Sequence, residues 1–470
     1  MQQNTQDTNE NLLMLRAQKL RTQGVEPYAA HFQYSHSLIE LYEAHDDVQE
    51  DEVRDIEAAC VWGRVMAIDD RAGDLTLVIE GQDARLQLAA VPRRMPLPLL
   101  NLLRSSVYRG DSLGFEVGAM CRRDGVLTGL IDDWSFLALA NLPIPRDMDA
   151  ARQRSERHLY WASSLDAREK LLKRGAILAQ TRQVMHAARL LEVATPYPVH
   201  SAGALTPPTD HHSLRLTLVG GIEQVYEIRA SLQAHPIDWL NHPQALLLNG
   251  CMALKTPQDA MGLLETLVIR LAQHLHVVSR VPWQPNERMR PSSPGELDSA
   301  FDEDTTLEID LSPGWARRTI PQLIRDILAL DLAETMPLEA AREGAAAAGV
   351  RAVDLAECRS AEAVIQAVYQ QVILPTLIQP TFVVTTTPGS ERIERFELVI
   401  NGILFASGCR EENDPACIAP NGVPRNGAAR ALMLGMPPAT SFTLHLDRVG
   451  MLLLSAADIR DVIAFPDPAA

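Results

Sequence analysis

Residues 226–245 read YEIRASLQAHPIDWLNHPQA and stand between two patterned apolar runs. Both runs have the length and composition of β-strands, so the stretch predicts strand, loop and strand within a large α+β domain. The loop, ASLQAHPIDWLNHPQA, carries one acid, Asp238, and neither lysine nor arginine. It is therefore poor in the positive charge that a phosphate-bearing ligand requires.

The composition of the whole chain limits the classes of protein to which it can belong. The chain has 470 residues, of which 46% are hydrophobic and 22% charged, and a net charge of −17. That length predicts two or three domains, and the charge argues against a general affinity for nucleic acid while leaving room for a local basic patch. The N-terminus lacks an apolar signal region, no apolar run is long enough to span a bilayer, and the six cysteines form no CxxC pair. We therefore expect a cytoplasmic protein without a membrane segment.

Four regions with different residue patterns divide the chain. Residues 1–55 predict an N-terminal helical segment, and the short alternating runs of 56–140 predict a small closed β-barrel of the OB-fold type. Residues 141–149 are a proline-punctuated linker. Residues 150–470 alternate helices and strands as a larger α+β domain, in which the polar segment 284–305 predicts a surface loop.

Several segments, in their order along the chain, are similar to the motifs of one enzyme family. They are LRAQKLRTQGVEPY (15–28), LLEVATPYP (190–198), VGGIEQVYEI (219–228), LIQPTF (377–382) and GMPPATSFTLHLDRVGMLLLSAADIRDVIAFP (435–466). Together they resemble a class II lysyl-tRNA synthetase over almost the whole chain. The resemblance implies an α+β fold, with an N-terminal OB-fold β-barrel followed by a class II aminoacyl-tRNA synthetase antiparallel-sheet domain.

The segment LLEVATPYP resembles motif 1, which builds the dimer interface in that family. The matching residues are Glu192, Val193, Thr195 and Pro196. The resemblance thus implies a homodimer, because a twofold interface is self-complementary. A heteromer with a synthetase or a biosynthetic enzyme is the alternative.

The resemblance also implies positions for ATP in the cleft, and most of them carry other residues here. The two motif 2 arginine positions carry Gln233 and Leu240. The motif 2 glutamate position carries His235, and the adenine-stacking position carries Ala245. Motif 3 keeps its arginine as Arg448.

The metal and glycine positions of the family are altered as well. The two metal-binding carboxylate positions fall on Leu404 and Glu411, and the motif 3 glycines are replaced by Ser441, Thr443 and His445. Loss of three charged contacts, each worth roughly 1.5–3 kcal/mol, removes about 4–9 kcal/mol of phosphate binding. We therefore predict a degenerate ATP cleft. No cofactor is expected, and ATP and Mg²⁺ would be required only if activity were retained.

Arg448 and Glu411 are then vestigial candidates, and no catalytic residue is assigned. Arg448 is interpreted as a structural arginine paired with a buried acid. Glu411 lies in the charged turn CREEND (409–414), where a solvated side chain is the alternative to a metal ligand. His211 and His212 are interpreted as neighbours in a strand, whose side chains point in different directions.

The barrel is expected to differ from the family as well. Its turn IDDRAGDLTL (68–77) is acidic, and the position of the aromatic that stacks on the anticodon carries Thr76 or Leu75. Because such stacking requires an aromatic ring and nearby basic residues, tRNA binding is not expected.

Three functions are consistent with these observations. The first is a lysyl-tRNA synthetase paralogue that has lost ATP-dependent lysine activation and tRNA charging and acts as a binding or regulatory subunit. The second is a remodelled adenylate-forming enzyme for another amino or acyl acid. Its candidate residues are Gln233, His235, His242, Gln244 and Arg448. The third is a divergent but active lysine–tRNA ligase that uses ATP, lysine and tRNA.

Overall fold

The computed structural model describes residues 15–50, 52–71, 74–195, 199–201, 204–206, 211–232, 238–277, 279–283, 307–387, 392–414, 417 and 433–466. Two compact units divide the chain, residues 1–169 and 170–470. The boundaries that the sequence predicts, at 55/56, 140/141 and 149/150, stay predictions. Gln233, His235, Pro196 and the predicted loop 284–305 lie outside the described residues.

The first unit is built around an OB-like five-stranded barrel, as predicted. Its strands are β1 (Val53–Arg71), β2 (Asp74–Glu80), β3 (Arg85–Ala90), β4 (Ser112–Arg123) and β5 (Val126–Ala138). They pair in the order β1-β2-β3-β5-β4, and β4 pairs again with β1, which closes the barrel. Asp124 and Gly125 connect β4 to β5 with φ angles of 50° and 78°. An Asp-Gly pair suits this tight hairpin, because both residues tolerate the left-handed region.

Alternating side chains fill the barrel interior. Leu75, Leu77 and Ile79 of β2 are buried, while the residues between them are partly exposed. Trp134 and Phe136 of β5 pack edge to face, with ring centroids 5.1 Å apart. The helical segment 15–22, α1 (Leu38–His45) and α2 (Leu97–Ser106) contribute buried residues to this core, and α3 (Ala150–Ser155) and α4 (Arg157–Ser163) follow the barrel in the chain.

The second unit contains an eight-stranded sheet in the order β13-β14-β15-β16-β17-β10-β9-β6. Its strands are β6 (Leu191–Glu192), β9 (Gln224–Leu232), β10 (Gln244–Ala253), β13 (Ala316–Thr319), β14 (Thr381–Thr386), β15 (Ile393–Ile400), β16 (Ile403–Arg410) and β17 (Ala439–His445). Only the two outermost pairs, β13/β14 and β6/β9, are parallel. Two small hairpins accompany the sheet: β7 (Val199–Ser201) with β8 (Ala204–Thr206), and β11 (Arg280–Trp283) with β12 (Leu307–Asp310). The OB-like barrel of the first unit and the antiparallel-rich sheet of the second unit confirm the predicted fold class.

Helices complete the second unit. They include α5 (Leu165–Ala187), which begins in the first unit, α6 (His212–Val219), α7 (Pro257–His274), α8 (Ile320–Leu328), α9 (Leu338–Ala347), α10 (Ala352–Glu357), α11 (Ala361–Val368), α12 (Leu446–Leu453) and α13 (Ile459–Val462). A π-helical turn, Tyr369–Ile373, and a 3₁₀ turn, Leu374–Thr376, follow α11. Among the described helices, none is long and apolar enough to cross a bilayer.

Helix α7 packs against β15, β16 and β17 and leaves the opposite face of the sheet for the cleft. It begins with a capping box between Thr256 and Asp259 and buries Met261, Leu264 and Val268 among its apolar residues. On the sheet, the apolar side chains of this face alternate with polar ones on the other face. The helix thereby fixes which side of the sheet can hold a ligand.

The interpretation of His211 and His212 as neighbours in a strand is wrong. His211 has φ 45° and precedes α6, so the segment is a helix rather than a strand. Leu214 and Leu218, four residues apart, are both buried in one cluster with Val225 and Cys251 of the sheet. Packing against the sheet therefore decides the conformation of a segment whose alternating leucines also fit a strand.

Candidate functional site

A row of polar residues crosses five strands on the open face of the sheet. The row is in register from Glu227 on β9 through Asn249, Thr443, Ser407 and Glu397 on β15. Two of the five strands, β9 and β17, carry the segments that resemble motifs 2 and 3. Because a sheet interior is otherwise apolar, five polar side chains in one row mark the candidate cleft.

One end of the row is closed by its own hydrogen bonds. Asn249 Nδ2 donates to Glu227 Oε1 at 3.1 Å, and Thr443 Oγ1 donates to Asn249 Oδ1 at 2.9 Å. Thr195 Oγ1 donates to Glu227 Oε2 at 2.5 Å, and Arg229 lies 3.4 Å from Glu227 Oε1. Glu227 and Asn249 are only 4% and 5% exposed. At this end Glu227 and Asn249 are therefore engaged in a buried hydrogen-bond network that stabilises the sheet.

The other end of the row remains accessible. Glu397 is exposed on the open face, and Tyr369 Oη donates to its Oε2 at 3.4 Å. Desolvation raises the pKa of Glu397, and the hydrogen bond from Tyr369 opposes that shift. Arg395 is also exposed and lies two residues earlier on the same strand, hence on the same face. This end therefore presents one carboxylate and one guanidinium to solvent.

The guanidinium of Arg448 is bound within its own chain. It donates from Nη1 to the carbonyl of Leu404 and from Nη2 to Asn241 Oδ1 at 3.3 Å. Burial lowers its pKa to about 10, and Asp238 opposes that shift. The expected partner, a buried acid, is therefore wrong, since its direct partners are two neutral oxygen atoms. Asp238 instead orders the loop by accepting from the Asn241 amide at 2.8 Å.

Little space remains around Arg448. The cavity there has a volume of about 10 Å³ and is lined by Leu240, Asn241, His242, Ala245, Leu246, His445, Asp447, Arg448 and Ile459. That volume is about the least that can hold one water molecule. Within the described residues, the enclosed space next to Arg448 is therefore smaller than a nucleotide requires.

His445, at a position for which the resemblance implies a glycine, is one of the residues that line this cavity. Desolvation lowers its pKa to about 3, and the neighbouring Arg448 acts in the same direction. His445 is therefore neutral near pH 7. His242 is 4% exposed, with its Nδ1 3.2 Å from the backbone nitrogen of Gln244, so it faces the protein interior rather than an open cleft.

Glu411 is buried and paired, which makes its interpretation as a solvated residue wrong. Its Oε2 accepts from Arg215 Nη1 at 2.9 Å, and its Oε1 accepts from Ser441 Oγ. Cys409 lies beside it, with Sγ 3.7 Å from Ser441 Oγ. Among the described residues, no group of three or more His, Cys, Asp or Glu side chains is arranged to hold a metal ion.

The motif 1 residues surround the end of β6. Glu192 accepts from Tyr226 Oη at 3.0 Å and pairs with Arg182 at 3.1 Å. The Val193 amide donates to the Tyr226 carbonyl at 2.9 Å. Thr195 points to Glu227, as described above. Leu191, at the edge of the sheet, is 52% exposed.

The altered ATP positions stay a prediction from the sequence, and sequence reasoning missed most of the polar row. Asn249 stands alone in LLLNGC, and Glu397 alone in RFELVI. A single polar residue within an apolar strand, on the face opposite its apolar neighbours, was the signal that could have found them. The Asp447 pair was also missed: its Oδ1 accepts from Arg174 at 2.9 Å and its Oδ2 from the Leu246 amide at 2.7 Å.

Comparison with known proteins shows similarity over nearly the full chain. The model of the family "tRNA synthetases class II (D, K and N)" matches residues 149–469. A lysine--tRNA ligase of Synechococcus sp. (strain CC9605) is 28% identical, over 96% of this chain and 95% of that protein. The lysine--tRNA ligase of Nostoc punctiforme (strain ATCC 29133 / PCC 73102) is 25% identical, over 96% of this chain and 86% of that protein. That of Thermosynechococcus vestitus (strain NIES-2133 / IAM M-273 / BP-1) is 26% identical, over 96% and 94%.

Proposed function

Because the chain belongs to the tRNA synthetases class II (D, K and N), as its motifs predicted, we propose that it is a lysyl-tRNA synthetase-like protein without lysine activation. In this proposal it neither forms an adenylate from ATP and lysine nor charges tRNA. It keeps the architecture and acts as a binding or regulatory subunit of the cytoplasm.

The state of Arg448 carries the proposal. A motif 3 arginine that binds a phosphate must present free N–H groups to an open cleft. Here Arg448 is bound to Leu404 and Asn241, next to a cavity of about 10 Å³. Admission of a nucleotide would require breaking both bonds and displacing His445.

The charges that offset a triphosphate are also reduced. Leu240 and Ala245 stand at an arginine and an aromatic position of the family, and Gln233 and His235 replace a further arginine and a glutamate. Neither Leu404 nor the paired Glu411 fits a magnesium ligand, since one has no donor atom and the other is bound to Arg215. A loss of about 4–9 kcal/mol of phosphate contacts corresponds to roughly 10³- to 10⁶-fold in rate.

The decisive experiment is isothermal titration of the full chain with ATP and Mg²⁺, with and without lysine. A bona fide lysine–tRNA ligase, treated in parallel, is the positive control. We expect no ATP binding in the micromolar range and no lysine-dependent pyrophosphate exchange. Micromolar ATP binding that lysine strengthens would refute the proposal and establish a divergent ligase, which rescue of a synthetase-deficient strain would then confirm.

The exposed pair Glu397 and Arg395 supports a second candidate, a remodelled adenylate-forming enzyme for another amino or acyl acid. A carboxylate and a guanidinium on one strand face can pair with the ammonium and carboxylate of an amino acid. A pyrophosphate-exchange screen over amino and acyl acids tests this function. Exchange with one acid that Glu397→Gln abolishes would support it, and an inactive screen would leave the first candidate standing.

A homodimer is part of the proposal, and an exposed apolar patch supports it. Leu191, Ile222 and Leu254 are 52%, 42% and 74% exposed. They lie at the same end of the neighbouring strands β6, β9 and β10, because Leu191 pairs with Val225 and the Ala253 amide donates to the Glu223 carbonyl. Exposed apolar groups of this kind mark protein interfaces.

Light scattering of Leu254→Asp tests the homodimer. Leu254 has φ 57°, a conformation that Asp tolerates better than Leu, so the exchange should not disturb the fold. We expect a dimer for the wild-type chain and dissociation for the variant. A variant as dimeric as the wild type would exclude this patch as the interface. If the chain instead forms a heteromer, a mixture with the synthetase or biosynthetic enzyme would scatter as a species larger than either protein alone.

A further inference from the structure

The first unit contains an open groove whose charged lining residues are all arginines. Its volume is about 590 Å³, and its lining residues are Met66, Ala67, Ile68, Val78, Arg85, Arg109, Pro145, Arg146 and Ser163. This set, here termed the arginine groove, belongs entirely to residues 1–169. Such a volume is in the range of small-molecule sites. The charged residues of the groove are positive, although the chain as a whole has a net charge of −17.

Two of the three arginines are held in place by the protein. Arg109 donates from Nε to the carbonyl of Met66 at 3.0 Å and from Nη1 to the carbonyl of Ile144 at 2.9 Å. Arg85 Nε lies 2.9 Å from Glu80 Oε1. Anchored guanidinium groups lose little side-chain entropy when they bind an anion, so they are preorganised donors.

The third arginine, Arg146, is exposed, and it has no hydrogen bond or ion pair within the part of the chain that the structure describes. It lies in the segment that the sequence predicts as a linker, next to the lining residue Pro145. Its guanidinium is therefore available to a ligand in the groove without breaking an existing contact.

Two further arginines, Arg168 and Arg64, lie near the groove residues without lining the groove. The Glu80 carboxylate, 1% exposed, is shared by Arg85 and by Arg168, whose Nη2 lies 3.2 Å away. Arg64 is the register partner of Glu80 across β1 and β2. Two guanidinium groups thus share one carboxylate, and the excess positive charge favours an anion at this place.

The floor of the groove is apolar, which indicates the second part of the ligand. Met66 and Val78 are partly exposed, and Ile68 is 40% exposed. A flat apolar group could cover these side chains while an anionic group meets the guanidiniums. Planar guanidiniums favour phosphate, with which they form bidentate hydrogen bonds.

The surroundings of the groove favour a compact ligand over a long polyanion. Asp69 and Asp70 follow Ile68 and are exposed, and Asp83 and Asp147 are exposed near Arg85 and Arg146 in the sequence. A nucleic acid strand leaving the groove would meet these carboxylates, whereas a small molecule would not. We propose that the arginine groove binds a small organic phosphate, with its phosphate between Arg85, Arg109 and Arg146 and an apolar ring over Met66, Ile68 and Val78.

Isothermal titration of the full chain with phenyl phosphate tests this proposal. We expect a dissociation constant on the order of 1 mM or lower, and binding of inorganic phosphate and of phenol at least about tenfold weaker. The same titration with a single-stranded oligouridylate separates a small phosphate from a polynucleotide. Inorganic phosphate as tight as phenyl phosphate, or binding of the oligonucleotide alone, would overturn the proposal.

Matched arginine variants locate the site. Arg146→Ala should raise the dissociation constant of phenyl phosphate about tenfold, and Arg85→Gln should do so by a similar factor. Arg93→Ala, which removes an equally exposed arginine outside the lining set, should leave it unchanged. Unchanged thermal midpoints would show that the variants are folded. Equal effects of Arg93→Ala and Arg146→Ala would mean nonspecific attraction and would refute the assigned site.

Discussion

Removal of the charge at Arg215 should strongly destabilise the second unit. Arg215 Nη1 is 2.9 Å from Glu411 Oε2, and the two side chains are 24% and 9% exposed. We consider the variant Arg215→Met, because methionine keeps most of the apolar stem and removes the guanidinium. In this variant the Glu411 carboxylate remains buried and still accepts a hydrogen bond from the Ser441 hydroxyl, but it has lost the Arg215 guanidinium.

The magnitude follows from the burial of the carboxylate. An uncompensated buried charge, left by removal of its partner, costs about 3–5 kcal/mol. The chain offers a matched control, the bridge between Arg182 and Glu192 at 3.1 Å, with side chains 48% and 42% exposed. Because water screens an exposed pair, Arg182→Met should cost at most about 1 kcal/mol. The two bridges have similar geometry, so the difference between the variants reports burial.

Native-state hydrogen exchange read by mass spectrometry suits this measurement, because a chain with two compact units need not unfold in one step. Peptides from β16 and β17, which hold Glu411's neighbours Cys409 and Ser441, report the free energy of opening of the second unit. Arg215→Met should reduce their protection by roughly two to four orders of magnitude. Arg182→Met should reduce it by less than about tenfold.

The double variant Arg215→Met/Glu411→Gln isolates the charge from the packing. Glutamine retains an acceptor for Ser441 and carries no charge, so most of the lost protection should return. Equal protection in Arg215→Met and Arg182→Met would refute the reasoning, since Glu411 would then be able to reach solvent. It would also restore Glu411 as a plausible metal ligand.

Two further predictions concern packing and pH. Gly250→Ala should destabilise the second unit by about 1–3 kcal/mol, because the added Cβ would lie 2.2 Å from the Phe442 ring. Gly262→Ala should instead stabilise helix α7 by about 0.5–1 kcal/mol, because no atom lies within 4 Å of the added Cβ. Urea unfolding measures both changes in the free energy of unfolding. The pKa of His445 is lowered to about 3, so between about pH 6.5 and pH 3 the unfolded chain binds the additional proton and stability falls as the pH falls. His445→Leu should remove about 2–4 kcal/mol of the stability difference between pH 7 and pH 4, and an unchanged difference in this variant would contradict the assigned burial.

The sequence predicts those features of the fold that depend on local pattern. Alternating apolar residues and Asp/Gly turns were sufficient for the barrel, as the buried positions of β2 and the Asp124–Gly125 hairpin show. Residues 212–219 were beyond this reasoning. HSLRLTLV spaces its leucines by two, as a strand does, and also places Leu214 and Leu218 four apart, as a helix does. Contacts with Val225 and Cys251 decide between the two, and such contacts are not visible in a local pattern.

The sequence predicts which residues stand at the family's site positions, but it does not predict the hydrogen-bond and ion-pair partners of those residues. The altered ATP positions follow from reading the motifs, but the partner of Glu411 is Arg215, 196 residues earlier in the chain. The charged turn CREEND suggests solvent, and only the tertiary fold brings a guanidinium from α6 to it. In the same way, Arg448 is bound by Leu404 and Asn241, which lie 44 and 207 residues away.

These pairings bear on how the cleft can evolve. A buried arginine needs hydrogen-bond acceptors whether or not a nucleotide supplies them. If the family's phosphate-binding residues are replaced as the motifs predict, Arg448 can remain in the fold only with acceptors from the protein, and the Leu404 carbonyl and the Asn241 side-chain oxygen provide them. Restoring the motif 2 arginines alone would therefore leave Arg448 hydrogen-bonded to Leu404 and Asn241, and His445 would still occupy the cleft. Recovery of ATP binding should require reopening the motif 3 side, beginning with His445→Gly, and a chain that binds ATP after motif 2 restoration alone would disprove this order.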